Sequence, residues 1–525
     1  MLVGDGSATG AGGRVRSALR RRPQSPGLRR SSRTRNDERI RGDEAASRTE
    51  HRRCPSSRTG TRIGPTTRKP QAGGCARRAS NVQRVMNVYE RRRAAFADSM
   101  QGAVAIVPAA HHAVRNADTE YEYRQNSDFY YLTGFSEPEA VLVITPGREP
   151  RDTLFLRPRD RSMEIWTGRR VGVDGATDEL GMQAARPIGD LEANLHEYLL
   201  GASSLFYGVG HDAATDRIVF AAVDRARHAV RRGGTAPNGY VEPGTVLHEM
   251  RLFKSEDELA LMRRAAEATH AGHVAGMRAT RDGLYEYELE ATIEYRYRMA
   301  GARDVAYPSI VAGGKNACTL HYQSNRDVLR DGDLVLVDSG AEFDAYACDV
   351  TRTWPVGGRF SPEQKALYEI VLRAQLAGID EVRPGRPFVA YHDSAVRVLT
   401  EGLIDLGLVT GSLDGAIESN AYADFYPHRT GHWLGLDVHD AGRYRDGEAY
   451  RALRPGMVMT VEPGLYIQPD LDCDERFKGI GIRIEDDILC TSGEPENLTS
   501  SIPKTVAEIE AVVGADVALV GTTRS

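Results

Sequence analysis

The 525-residue chain carries a formal net charge of −5 and is 41% hydrophobic, enough apolar material for a large core and more length than one core usually organises. No run approaches the ~20 consecutive apolar residues that cross a bilayer, so the chain is expected to be soluble, with no membrane partner. The charge is unevenly divided: residues 1–80 hold 19 Arg and one Lys against six acids, a balance of +14, which leaves −19 for the remainder. A body of that sign repels phosphates, so no nucleic-acid partner is expected for it.

Cys54 and Cys75 lie in the basic segment, and Cys318, Cys348, Cys473 and Cys490 are scattered through the body. None forms a CxxC or other metal-type spacing. So few cysteines in so long a chain indicate reduced thiols in a cytoplasmic protein, not a disulfide scaffold.

Residues 1–85 are rich in Arg, Ser, Thr, Gly and Pro, lack helical or strand periodicity and read as a disordered basic extension. A secretory signal would need an apolar stretch of roughly 7–15 residues, which is missing. The acids from Asp37 to Glu50 argue against a transit peptide, which would be acid-poor; an arm that contacts nucleic acid stays open. Helix-compatible sequence begins abruptly at Met86 in MNVYERRRAAFADSM, so translation is expected to start near Met86, which N-terminal sequencing tests.

From there the elements follow in order. Residues 89–100 read as a helix, 103–108 (AVAIVP) as a strand, and 140–146 and 152–158 as two more buried strands. Ser255 and Glu258 have capping-box spacing ahead of Leu259, Leu261 and Met262, so a first domain is expected over 86–250 and a second over 251–525. In the second, 285–300 is helical, 334–340 (LVLVDSG) is a strand and 346–356 its hairpin partner. Ser361 caps a helix with Pro362 at its first position and Gln364 completing the box. A helix over 389–407 and strands over 457–467 and 479–490 complete the pattern. The whole reads as α+β, with helices over one face of an antiparallel sheet.

The chemistry-bearing residues sit at strand ends. In GIGIRIEDD, Gly481, Arg483 and Glu485 share one strand face. An exposed Arg–Glu pair would be ordinary, but the flanking isoleucines indicate burial, and a buried carboxylate needs a partner or a metal. Asp338 ends the apolar strand LVLVD, and a hairpin would bring Asp349 beside it; two close carboxylates repel unless they share a proton or a cation. HRTGHWLGLDVHD concentrates His428, His432 and His439, and Glu462 follows the strand MVMTV at a Pro-Gly turn. Singly, each has a bland reading as a turn former or a satisfied core histidine. Together they supply four carboxylates and an imidazole, which suits two divalent ions such as Mn²⁺, with Co²⁺ and Zn²⁺ as alternatives. Two such ions ~3.5–4 Å apart can deprotonate a bridging water and polarise a carbonyl, so hydrolysis is favoured.

These residues in this order resemble the Xaa-Pro aminopeptidases (aminopeptidase P) of the pita-bread metallopeptidases. The resemblance runs through VDSGAEFDAYACDVTRT, GHWLGLDVHD, TVEPGLYI and GIRIEDD, and through EYEYRQNSDFYYLTGFSEPEAVLV, EIWTGRR and HEMRLFKS, over roughly residues 88–515. It implies a pita-bread catalytic domain, a curved antiparallel sheet covered by helices, after a smaller α/β domain. Asp338 would chelate one metal and His432 and Glu462 the other, with Asp349 and Glu485 bridging. His321 and His439 would hold the substrate and its oxyanion, and Glu462 would relay a proton. His428, Tyr466 and Arg483 would support them, His428 and Tyr466 on the substrate side and Arg483 among the catalytic groups. Asp118 and Trp166 would approach a catalytic site, that of a neighbouring subunit included, in a homo-oligomer.

The implied substrate is a peptide with proline second, whose X-Pro bond lacks the N–H that general peptidases use. An Xaa-Pro dipeptidase (prolidase) shares fold and ligands and remains the nearest alternative. A methionine aminopeptidase would not need the first domain, and a creatinase-type amidinohydrolase would lack the full metal set. A non-catalytic binding protein on the same scaffold would tolerate loss of ligands, and none is lost.

Overall fold

The computed structural model describes residues 86–515 except Gln101 and Arg232; the basic extension expected over 1–85, with Cys54 and Cys75, lies outside the described residues. The chain enters through helix Val88–Ser99, whose N-cap Asn87 exchanges side-chain and backbone hydrogen bonds with Glu90. Strand Ala103–Pro108 follows and becomes the middle of a six-stranded sheet. It pairs antiparallel with Val141–Ile144, which pairs antiparallel with Asp152–Leu156. Three parallel strands complete the sheet, Ala184–Pro187 on one side and Ser204–Phe206 and Gly239–Val241 on the other. These three were not expected, because three- or four-residue segments are too short to show alternation.

Alternation sorts the sheet's side chains into two cores. Val104, Ile106, Val141, Val143 and Phe155 pack against helices Leu191–Leu199 and Ala213–Ala229. Ala105, Val107, Leu142, Ile144, Leu154 and Leu156 face the other way, onto Phe96 and Phe129. A sheet covered on both faces has apolar residues at consecutive positions, which explains the unbroken run AVAIV.

The second region opens at Ser255, whose backbone N–H and hydroxyl donate to Glu258 at 2.9 and 2.8 Å. Helices Glu256–Ala279 and Glu286–Met299 form one layer with Pro362–Asp380 and Ala390–Asp405. Their Met277, Ile293, Tyr297, Leu367, Val371 and Leu399 share a core with Val311, Val335, Val337, Trp354, Leu465 and Ile482 from the strands. Every strand pairing here is antiparallel, so the architecture is the expected α+β arrangement.

The long strands are where expectation and structure part. The hairpin pairs Leu334–Asp338 with Thr351–Pro355, Asp338 opposite Thr351. The expected single strand over 346–356 is therefore two, Tyr346–Ala347 and Thr351–Pro355, belonging to different sheets. Likewise 457–467 divides into Val458–Val461 and Gly464–Tyr466, and 479–490 into Gly481–Arg483 and Asp486–Leu489. At the first break the backbones touch: a Cβ on Gly340 would overlap the Cys348 carbonyl oxygen, so only glycine lets the two segments cross this closely. Asp349, Glu462 and Glu485 lie in the three interruptions.

Candidate metal centre

The breaks turn three carboxylates off their ladders and into one space. Ligand atoms of Asp349, His432 and Glu485 all lie within 4.8 Å of one another. His432 Nε2 stands 3.4 Å from Asp349 Oδ2 and 3.8 Å from Glu462 Oε1. Asp338 reaches the cluster from the end of its own strand and is close enough for Asp349 to oppose its ionisation. All five side chains expected at the site are thus brought together.

Burial sets the electrostatics. It pushes the Glu485 carboxyl well above the usual range, with the charges of Asp349, Glu462 and Asp338 adding to it. Burial raises Asp338 too, against the pull of Arg483. Glu462 is pushed up to about 7 by burial, opposed by His432 and Arg483. For His432 burial disfavours the charged ring, but Asp349 and Glu462 outweigh it and carry it up to about 9. Buried carboxylates that repel each other are stabilised by a cation. The imidazole is turned for ligation: His432 Nδ1 donates to the Trp433 carbonyl at 3.0 Å, which leaves Nε2 facing the carboxylates. Oxygen donors with one nitrogen fit hard or borderline divalent ions.

The groups behind these five side chains form a directed chain. Arg483 donates Nη2 to Asp338 Oδ2 at 2.6 Å, Nη1 to the Tyr466 hydroxyl at 2.9 Å and Nε to Thr351 Oγ1 at 2.9 Å. The Thr351 hydroxyl in turn donates to Glu485 Oε2 at 2.6 Å. His428 Nδ1 donates to the Arg429 carbonyl at 2.7 Å, so its Nε2 accepts from the Tyr466 hydroxyl at 2.9 Å. Arg483 and Glu485 are both buried, as the flanking isoleucines indicated. They are joined through Thr351, not to each other.

Sequence reasoning missed Tyr307 and Thr351. Tyr307 donates to Asp338 Oδ1 at 2.6 Å, orienting that carboxylate against Arg483. Neither lies in a chemically suggestive spacing; Thr351 was findable only by pairing it with Asp338 across the hairpin. His321 and His439 have exposed side chains. His439 packs its ring 4.3 Å from that of His432, and His321 is near enough to disfavour protonation of His428 and His439. Asp118 sits on an exposed turn and Trp166 is 83% exposed on helix Arg161–Thr167; no contact among the described residues joins either one to the cluster.

Known proteins resemble the chain over most of its described length. Residues 260–492 match the metallopeptidase family M24, and 89–207 the N-terminal domain of aminopeptidase P. An Xaa-Pro aminopeptidase of Escherichia coli is 45% identical over 81% of this chain and 97% of its own length. One from Haemophilus influenzae is 42% identical over 80% and 95%. The solved aminopeptidase PepP of Pseudomonas aeruginosa superposes with a TM-score of 0.80 at 49% identity, covering 81% of this chain and 97% of its own. A zinc-substituted E. coli aminopeptidase P in complex with product superposes with a TM-score of 0.78 at 45% identity, with coverage of 81% and 97%. The chain belongs to the metallopeptidase family M24, with an aminopeptidase P N-terminal domain ahead of the catalytic one.

Proposed function

We propose that this chain is an Xaa-Pro aminopeptidase, removing the N-terminal residue from peptides with proline second. The observation that carries the reading is the convergence of Asp338, Asp349, His432, Glu462 and Glu485 on one buried space, joined to 45% identity across nearly the whole of a relative so named. Asp338 would hold one ion, His432 and Glu462 the other, with Asp349 and Glu485 between them. Mn²⁺ is the preferred ion, Co²⁺ and Zn²⁺ the alternatives. When bound, the ions supply Lewis acidity to the scissile carbonyl and acidify water.

The chain's own groups would do the rest. Glu462 would take a proton from the attacking water and deliver it to the proline nitrogen. His321 and His439, beside the cluster, would flank the substrate and donate to the developing oxyanion. His428, Tyr466 and Arg483 keep Asp338 and Glu485 oriented. Asp118 and Trp166 remain candidate substrate contacts. A homo-oligomer would let their exposed surfaces reach a neighbouring subunit. We assign residues 86–250 to the first domain and 251–525 to the catalytic one. The described cysteines are all free thiols, which favours the cytoplasm, and among the described residues no helix is long and apolar enough to cross a membrane.

The test is a Mn²⁺-supplemented assay of X-Pro-Y, X-Pro and X-Ala-Y peptides. Release of X from X-Pro-Y is expected. Cleavage restricted to X-Pro would make the chain a dipeptidase, and cleavage of none would overturn the reading. Glu462→Ala should lower turnover by at least about 10²-fold with the far-UV circular dichroism unchanged; near-normal turnover would remove Glu462 from its role.

A further inference from the structure

A cleft of about 940 Å³ opens where the first domain meets the second, and His439 lines it. Part of its wall, Asp128, Arg251 and Asp437, belongs to a charge network that the chemistry above leaves unused. Arg251, 3% exposed at the end of helix Gly244–Leu252, donates Nη1 to Asp128 Oδ1 of the first domain at 2.8 Å. Its Nη2 donates to Asp437 Oδ2 at 2.7 Å and also to Asp440 Oδ1. Lys254, also buried, donates to the other Asp440 oxygen at 2.9 Å. Ser127 of the first domain donates its hydroxyl to Asp437 Oδ1.

The two acids flank His439 in sequence; Leu434 and Leu436 anchor the start of the segment in the core, and the Asp437–Asp440 end is held by these side-chain charges. Residues 434–440 form neither helix nor strand. Trp433 bridges to Met459 at the start of this segment, and Asp440 N–H donates to the Trp433 carbonyl at 2.9 Å at its end. Between them the Asp440 carboxylate folds back against Gly435, where any Cβ would overlap it. The loop is therefore wrapped around one carboxylate, and that carboxylate is held by Arg251 and Lys254. Burial works against the Asp440 charge, but the two cations outweigh it and hold the group below the usual carboxylate range. Apolar packing would stabilise a domain junction at least as well as buried ions. What ions add is direction, and these point at the loop beside the metal cluster.

We propose that Arg251, Lys254 and the first domain's Asp128 are positioning residues for His439: through Asp437 and Asp440 they set where its imidazole stands beside His432. The first domain then serves catalysis by anchoring the loop, without its Asp128 touching substrate. This rests on the Xaa-Pro aminopeptidase reading for its kinetic readout but not for its structural one.

Arg251→Ala would take one cation from three acids at once and endanger folding, so the test uses Asp128→Ala, which leaves Arg251 with Asp437 and Asp440. In the full-length chain with Mn²⁺, Asp128→Ala should lower kcat on an X-Pro-Y peptide about tenfold, with KM within about twofold, because a reacting group is displaced without loss of substrate contacts. Mn²⁺ binding by calorimetry should not change, and Asp128→Asn, which keeps an oxygen for Arg251, should restore most of the loss. In a His439→Ala background, Asp128→Ala should cost nothing further, since both act through one imidazole. Losses that multiply in the double variant, or an unchanged kcat in the single one, would overturn the proposal. The His439 ring resonance should also shift in Asp128→Ala, and an unmoved resonance would overturn it without reference to turnover. A wild-type chain that cleaves no X-Pro-Y peptide would refute the function reading, while the ring resonance still decides the positioning role.

Discussion

Glu485 and Asp486 are neighbours in the chain, both buried, and they live in opposite electrostatic worlds. Asp486 accepts from Arg352 at 2.6 Å, Lys504 at 2.6 Å, Gln375 at 2.7 Å, Thr499 at 2.8 Å and Asn497 at 2.9 Å. Burial opposes its charge, but Arg352 and Lys504 overcome it and hold the carboxyl well below the usual range. Glu485, on the other side of the backbone, accepts from the Thr351 hydroxyl and faces three more carboxylates, and burial pushes it the other way. Asp487 extends the contrast: it accepts the Asp349 N–H at 3.2 Å through Oδ2, while Oδ1 has no partner among the described residues. A buried acid that serves structure comes with its own counter-ions. One that serves a site is left short of them, and the deficit marks where a cation belongs.

That contrast can be broken first at Glu485. Glu485→Gln should cut turnover by about 10²-fold or more, by analogy with the loss of a general acid–base group, yet the metal-free protein should unfold no lower than wild type, because the carboxyl removed is one whose ionisation burial and its neighbours oppose. A lower melting temperature without metal would mean that the cluster is stabilising as it stands. The same measurement with saturating Mn²⁺ should raise the wild-type melting temperature and leave the variant's much less affected.

Asp486→Ala should do the reverse. It strands Arg352, fully buried, and Lys504, and removing one partner of a buried pair costs about 3–5 kcal/mol. Denaturant unfolding reads that loss, while activity per folded molecule should stay near wild type. A stable but inactive variant would place Asp486 with the functional acids.

A smaller effect sharpens the comparison for a buried base. His273 is fully buried, donates Nε2 to the Ser339 carbonyl at 2.8 Å, and is held down to about 4 by burial. The unfolded chain protonates this ring below about 6.5 and the folded one does not until about 4, so the unfolded state binds more protons between them. Stability should therefore be full above pH 6.5 and decline as pH falls toward 4, by on the order of 3 kcal/mol for this group. His273→Gln should flatten that part of the stability–pH profile; an unaltered slope would assign it to other groups.

Much of this molecule was legible without coordinates. Strand 103–108, the Ser255 and Ser361 helix starts and the hairpin partnership of Asp338 with the segment carrying Asp349 follow from a short continuous apolar run, capping chemistry and turn length, all of which are local. The five candidate ligands were picked out as acids at the ends of apolar strands or across a hairpin, where an unpaired charge would be costly, with a histidine from a histidine-dense segment, and by the resemblance of their order to a known family. Three things were decided by tertiary structure. The strand breaks at Asp349, Glu462 and Glu485 are invisible to periodicity, because the apolar residues continue straight through them and only the pairing partners change. The roles of Glu485 and Asp486, adjacent and equally acidic, depend on which cations the fold delivers to each side. Arg251 and Asp128 are separated by more than a hundred residues from the loop they hold, and no spacing rule reaches so far. Local chemistry chooses the elements; which charges meet depends on the packing of segments distant in the chain.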